Sequence, residues 1–309
     1  MSIQWYPGHM HKAGKEIKEI LPKIDIVIEI LDARIPFSSQ NPLLHAIRAD
    51  KPCLKLLHKC DLADPDYTQQ WQDFFETAQN VKTLATHNNQ LERIRLIPGL
   101  CQKLAASDKA SHVTHALVVG IPNVGKSTLI NLLAGRVIAK TGNEPAVTKM
   151  LQRIEINPHF ILHDSPGMLW PNLENKNSAY RLAVTGAIKD TAISHDDVAL
   201  FAADYLWQHY PELLSQRYAL AERPANGQEL LIMIGKRRGC LRSGGLVDID
   251  KVAKLLLTEF RSGHLGAISL ETPAMMAAEL TELELIRAEK AALKQQRKAQ
   301  WRQKGKAMH

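Results

Sequence analysis

The sequence predicts an α/β fold, in which a domain built on a mostly parallel sheet is followed by a small all-helical domain. Three features carry that reading: short apolar runs that each end in a polar turn, a glycine-rich loop between one such run and a helical segment, and the loss of strand texture beyond about residue 175. At 309 residues, 45% apolar and 23% charged, the chain has enough material for two domains that each bury a core without disulfides or metals. The expected division is 1–175 and 176–309.

Taken in order, about Met10 to Leu21 reads as a basic amphipathic helix, and Ile24 to Leu31 (IDIVIEIL) as a buried strand with Asp32 just beyond it. Cys53 to Leu57 is a second apolar run, leading into His58-Lys59-Cys60-Asp61. Leu84-Ala85-Thr86-His87 follows Val81 to Thr83. His115 to Val119 then leads into a glycine-containing loop and the helical segment Thr128 to Ala134. Ile154 to Ile156 and Phe160 to Leu162 add two short strands, the second running into Asp164-Ser165-Pro166-Gly167. Alternation of this kind puts ligands beyond the carboxyl ends of the strands. From Ser178 to about Leu220 the periodicity is helical, and Gly235 to Gly245 (GKRRGCLRSGG) reads as a turn-rich basic stretch. Asp250 is placed to cap a helix with Val252, Leu255, Leu256 and Phe260 on one apolar face. From about Thr281 the chain is helix-prone again, and from Arg287 onward Glu289 is the single acid among many Lys and Arg.

Composition narrows the function classes. No apolar run reaches membrane-spanning length, and the N-terminal MSIQWYPGHMHKAGKE lacks the apolar stretch and cleavage site of a secretory signal, so a cytoplasmic protein is expected. Four cysteines, Cys53, Cys60, Cys101 and Cys240, form no CxxC pair, which points to reduced thiols and away from a zinc site or a disulfide framework. A net charge of +7 favours a polyanionic partner, either nucleic acid or an anionic membrane.

The strongest motif is Gly120 to Ser127, GIPNVGKS, a complete GxxxxGKS phosphate loop between a strand and a helix. Its glycines permit a tight turn, so that backbone N–H groups from Asn123 through Val124, Gly125, Lys126, Ser127 and Thr128 can face phosphates at a helix N-terminus. Lys126 would reach the β- and γ-phosphates, and the Ser127 hydroxyl would ligate Mg²⁺. Asp164 closes an apolar strand where a carboxylate holds Mg²⁺ through water, and Gly167 can offer its amide to the γ-phosphate. Thr148 lies in the loop between these motifs, able to lend a hydroxyl to the metal as part of a switch segment. The bland readings are a chance glycine-rich turn and a loop threonine without a role.

Guanine differs from adenine in its N1 and N2 donors, which one carboxylate can accept together. His58-Lys59-Cys60-Asp61 supplies such a carboxylate after a strand: Asp61 would read that edge, and the Lys59 stem would lie along the base. His58 stands where asparagine is usual, and an imidazole N–H can donate the same bond to guanine N7. Ala85 is a second base contact by spacing alone. The plain alternative is an exposed charged loop.

The order HKCD, GIPNVGKS, Thr148, DSPG is a rotation of the usual small-GTPase order and resembles the circularly permuted GTPases. Rotation is permitted because α/β domains often have neighbouring termini. Trp5-Tyr6-Pro7-Gly8-His9-Met10, Leu31-Asp32-Ala33-Arg34-Ile35-Pro36 with Ser38-Ser39 and Asn41-Pro42, and GKRRGCLRSGG are similar to segments of the ribosome biogenesis GTPase A family, over nearly the whole chain. The resemblance implies a circularly permuted P-loop GTPase domain followed by a helical RNA-associated domain. It further implies a GTP/GDP switch in late assembly of the large (50S) ribosomal subunit, with rRNA and ribosomal proteins as partners. The chain is expected to act as a monomer.

Met168 occupies the place after DxxG where Ras-like enzymes carry a water-positioning glutamine, and a thioether cannot orient water. The resemblance implies His9 as the substitute, an imidazole able to hydrogen-bond the water. Likeness to potassium-stimulated GTPases implies a second aid, Asn123 helping to hold K⁺ beside the phosphates. Lys236, Arg237, Arg238 and Arg242, with the basic tail, would contact RNA phosphates. The competing functions are a GTPase acting on tRNA or at a membrane surface, an RNA-binding assembly factor whose hydrolysis is incidental, and an ATPase.

Overall fold

The computed structural model describes residues 8–42, 44, 48, 50–105, 113–138, 151–170 and 175–306. Its sheet contains β1 (Ile26–Asp32), β2 (Cys53–His58), β3 (Val81–Thr86), β4 (Thr114–Gly120), β5 (Gln152–Asn157) and β6 (Phe160–Asp164), in the order β3-β2-β1-β4-β6-β5. All neighbours run parallel except β5, which returns antiparallel along β6. Strand β1 is buried at every residue, as expected for a central strand covered on both faces. Its one mid-strand acid, Glu29, is matched in register by Lys55 of β2, which pairs with it and lies over the Phe75 ring. Each of the strands read from sequence exists; β1 begins two residues later than expected, at Ile26, and the others run one to three residues further at their ends.

Helix α1 spans Gly8–Ile20, close to the amphipathic segment expected there. Helices α2 (Pro65–Glu76), α3 (Leu91–Arg95) and α4 (Ile97–Leu104) connect the strands on one side of the chain order, and α5 (Lys126–Ala134) follows the glycine loop. The start of α2 is written in Asp64-Pro65: the Asp64 carboxylate accepts the amides of Asp66 and Tyr67, and Pro65 occupies the first turn where its missing N–H costs nothing.

Beyond residue 175 the described chain is helical: α6 (Lys176–Val184), α7 (His195–His209), α8 (Pro211–Tyr218), α9 (Gly227–Arg237) and α10 (Ile249–Arg261). Two local expectations are corrected here. Gly235, Lys236 and Arg237 form the last turn of α9, so the turn-rich stretch begins only at Arg238. The cap of α10 is Asp248, which accepts the Lys251 amide, while Asp250 lies inside the first turn. One apolar core runs from sheet residues such as Ile28, Val118 and Leu162 into Leu182, Leu206, Ile234 and Leu256. Accordingly the chain groups into two compact units, Met1–Glu271 and Thr272–His309. The second unit carries one helix, α11 (Pro273–Lys306), which begins earlier than Thr281.

All four cysteines are unpaired; Cys53 and Cys101 are buried, and burial pushes the Cys53 thiol up to about 11. Among the described residues no helix is long and apolar enough to cross a membrane.

Candidate nucleotide site

Chain order reverses beside β1: the chain steps outward through β2 and β3, then returns to β4 on the other side. In open α/β sheets ligands bind at the carboxyl ends of the strands where this reversal occurs. Asp32, His58 and Thr86 stand in register there, as the last residues of β1, β2 and β3, while Gly120 and Asp164 end β4 and β6. Motifs scattered over more than a hundred residues of sequence thus reach one edge of one sheet.

In the loop after β4, Asn123 (φ 58°) and Gly125 (φ 101°) adopt left-handed backbone. Such a sequence of turns makes a concavity of N–H groups suited to an anion at the start of α5. Glycine is required at 125 twice over, by its φ and because a Cβ there would lie 2.6 Å from Cδ2 of His58. Lys126 is buried and forms an ion pair with Oδ1 of Asp164. The other carboxylate oxygen of Asp164 is buried without a hydrogen-bond partner, and burial, opposed by the Lys126 charge, raises the pKa of this acid. An orphaned buried carboxylate oxygen, with the Ser127 hydroxyl on the same helix turn as Lys126, fits a hard cation that takes oxygen ligands. Among the described residues no group of three or more His, Cys, Asp and Glu could hold a metal ion.

The DSPG segment is bound to the phosphate loop along its backbone. The Met168 amide donates to the Gly120 carbonyl at 3.0 Å, and the Ser165 hydroxyl to the Val118 carbonyl at 2.8 Å. Gly167 packs against the backbone of Pro122. Met168 itself is 5% exposed and accepts a bond from Asn41 at its carbonyl, so it is a packing residue.

The HKCD turn meets the same loop from the other side. Lys59 has left-handed backbone (φ 60°), costly for a lysine by about 1 kcal/mol or more, and is held there by two bonds from its ammonium. One goes to Oδ2 of Asp32 at 3.0 Å, the other to the carbonyl of Asn123 at 2.8 Å. Two residues on, Asp61 is exposed on the 3-10 turn Cys60–Leu62. His58 turns inward: it is 1% exposed, with Nδ1 at 3.1 Å from the Thr86 hydroxyl and Nε2 at 3.1 Å from Oδ1 of Asn88. Burial, aided by the Lys59 charge, lowers its pKa to about 4, so the ring is neutral. A neutral ring that donates from Nε2 to Asn88 accepts the Thr86 hydroxyl at Nδ1. Both edges that could face guanine N7 are therefore engaged inside the protein.

Of the other expected residues, Ala85 lies within β3, two residues before His87, whose Nδ1 is buried without a hydrogen-bond partner. Asn123 donates its side-chain amide to the Gly186 carbonyl at 2.8 Å, joining the phosphate loop to the turn after α6. Val124 is buried, and Thr128 is half-buried on the first turn of α5. Thr148 lies outside the described residues, as does the side chain of His9, whose backbone belongs to the start of α1. Sequence reasoning gave no role to Asp32, Arg34, Asn88 or Gly186. Only Asp32 had a usable signal, an acid at the end of the central strand.

Comparison with known proteins agrees with this geometry. A family model described as 50S ribosome-binding GTPase matches residues 115–236, from β4 through the phosphate loop and DSPG to α9. The HKCD turn falls outside it, upstream, as rotation of the motif order requires. A protein of Priestia megaterium named Ribosome biogenesis GTPase A is 46% identical over 283 residues, covering 89% of this chain and 98% of its own. Its namesake in Thermotoga maritima is 30% identical, over 88% and 95%. The crystal structure of GNP-bound YlqF from T. maritima superposes with a TM-score of 0.60 at 27% identity, covering 85% of this chain and 98% of that one. A GDP-bound YlqF structure gives 0.61 at the same identity.

Proposed function

This chain belongs to the ribosome biogenesis GTPase A family, and from that premise we propose that it is a GTP-timed switch in late assembly of the large ribosomal subunit in the cytoplasm. The observation that most supports the reading is the bond from Lys59 to the Asn123 carbonyl. It joins the turn that would read guanine to the loop that would hold its phosphates, so that one GTP spans both.

In this reading the N–H groups of Asn123 to Thr128 receive the phosphates, and Lys126 exchanges its carboxylate partner for the β- and γ-phosphates. Asp164, the Ser127 hydroxyl and Thr148 would hold Mg²⁺, which would neutralise charge on the phosphates. Gly167 offers its amide to the γ-phosphate, and Asp61 accepts from guanine N1 and N2. His9 orients the attacking water. Helix α1, whose first turn includes His9, is tied by Glu16 to the Leu151 amide at 3.4 Å, just past the segment that carries Thr148. K⁺ near Asn123 would supply charge that an arginine finger gives elsewhere. The basic tail, with Lys236 and Arg237 at the end of α9 and Arg238 and Arg242 beyond it, meets rRNA phosphates, and hydrolysis releases the protein from the particle.

The deciding experiment measures GTP turnover with and without purified large subunits, in potassium and in sodium salts. The expected outcome is stimulation by the subunits, greater in potassium, together with particle binding that is tighter in a non-hydrolysable GTP analogue than in GDP. Turnover indifferent to subunits, with equal binding in both nucleotides, would remove ribosome-timed switching and leave a GTPase of other purpose.

A further inference from the structure

Asp32 has no assigned role, yet its carboxylate accepts four hydrogen bonds in the protein's core. It is 1% exposed. Oδ1 accepts the backbone amide of Arg34 at 3.1 Å and its Nε at 2.8 Å, and Oδ2 accepts Nη2 of Arg34 at 2.7 Å. The fourth bond comes from the Lys59 ammonium, which also donates to Asn123. Burial alone would raise the pKa of this acid; the Arg34 and Lys59 charges outweigh it and hold the carboxyl well below the usual carboxylate range.

Two buried charges and a half-buried third make a poor device for stability alone, because desolvation consumes much of their attraction and apolar packing does as well. Their placement suggests a different purpose. Asp32 ends β1, Lys59 follows β2, and Asn123 belongs to the loop after β4, so the triad ties together three adjacent strand ends at the point where a nucleotide would lie. Arg34 is fixed in turn, with its guanidinium 5.1 Å from the Phe260 ring centroid and its carbonyl accepting the Leu270 amide at 2.8 Å. The carboxylate that Lys59 grips is therefore immobile on both sides. Recognition of a base and its phosphates together requires the two contact sets to be held to a fraction of an ångström, which is the work of supporting residues whose own positions are locked.

We propose that Asp32, clamped by Arg34, is a positioning residue for guanine selection, holding Lys59 against the phosphate loop so that Asp61 stands at the correct offset to read the base. The proposal rests on the reading of HKCD as the guanine motif. It assigns Asp32 no contact with nucleotide.

The test compares the affinities of GTP, ITP and inorganic tripolyphosphate in the intact protein and in Asp32→Asn. ITP lacks the 2-amino group and hence one of the two bonds to Asp61, so the intact protein should prefer GTP by about tenfold, the worth of one hydrogen bond to a charged acceptor. In Asp32→Asn the preference should shrink toward unity, with GTP binding about tenfold weaker and tripolyphosphate binding changed less than about twofold. A merely structural Asp32 would weaken all three ligands alike, and that result, or an unchanged GTP to ITP ratio, overturns the proposal. Should Asp32→Asn fail to fold, Arg34→Lys keeps the charge while losing one prong of the clamp, and must lower the ratio in the same direction. The underlying motif is checked separately by Asp61→Asn, which should shift preference toward xanthosine triphosphate, whose C2 carbonyl can accept from an amide. If that shift is absent, the base-reading motif and the proposal fall together. If it occurs while the Asp32 and Arg34 variants keep the GTP to ITP ratio, only the positioning role is lost.

Discussion

His58 shows how one side chain can be read two ways. Its ring fills the space that a Cβ on Gly125 would need, and its two nitrogens join the ends of β2 and β3. Because the native ring stays neutral down to about pH 4 while an unfolded histidine protonates near 6.5, acid feeds the unfolded state first. The stability this group contributes is complete above about pH 6.5 and is lost as pH falls toward 4, by up to about 3 kcal/mol. His163, buried beside His115 and Arg153, is lowered to about 4 as well and destabilises over the same interval. The informative quantity is therefore a difference: urea unfolding of the parent and of His58→Asn, followed from pH 7 to pH 4.5, should show the parent losing more stability. Parallel curves would mean that His58 does not stay neutral in the folded protein. Sequence could supply the position of this residue after a strand but not its direction, because Asn88, which holds it inward, lies thirty residues away and follows no recognisable pattern.

At the level of elements, space decides what propensity cannot. Gly99 in α4 and Gly235 in α9 are both helical glycines, and alanine favours a helix by about 1 kcal/mol over glycine. Nothing lies within 4 Å of a Cβ at Gly99, whereas a Cβ at Gly235 would be 2.4 Å from Cγ1 of Val247 and 2.7 Å from Cγ2 of the fully buried Val252. Overpacking of this kind costs about 1–3 kcal/mol and exceeds the gain in propensity. Gly99→Ala should raise the melting temperature and Gly235→Ala should lower it, with GTP affinity preserved in both; two shifts of the same sign would refute the packing account of α9. The same contrast explains which elements were legible. Strands β1, β4 and β6 announce themselves as continuous apolar runs because both their faces are buried, and the phosphate loop is local in sequence, so its chemistry reads directly. Helix α9 was missed at its C-terminus because Gly235 looks like a turn until the close approach of Val247 is known. Near residue 175, where a domain boundary is expected, strands give way to helices, while Leu182 and Leu206 pack in the same apolar cluster as β4 and β6. Burial shared between segments distant in sequence leaves no local trace.

For the molecule as a whole, charge is distributed more tellingly than its total suggests. From Arg287 to the end there are eight basic residues and one acid, a net of +7, which equals the excess of the entire chain, so residues 1–286 are balanced. Helix α11 carries Glu279, Glu282, Glu284 and Glu289 in its first half and the basic cluster in its second, the arrangement that complements a helix dipole. Thirty-four residues of helix span about 50 Å. Its middle is exposed, with Leu285 at 63% and Leu293 at 53%, so its side chains there are available to a partner. A cluster of cations on one terminal helix gives binding to a polyanion a steep dependence on salt, because each neutralised phosphate releases counterions. Replacing Lys290, Lys294, Arg297 and Lys298 by glutamine should reduce the slope of log affinity against log salt, for large-subunit rRNA, by about 3. GTP turnover by the free protein should stay within about twofold, because the replaced residues belong to a compact unit separate from the one that holds the phosphate loop. Binding titrations at four or five potassium concentrations, with turnover measured on the same preparations, supply both numbers. An unchanged slope would mean that the tail does not meet phosphates, and the polyanion contact would then have to come from the Arg238 to Arg242 turn, where Arg242 already pairs with Asp248 and Arg238 with Glu259.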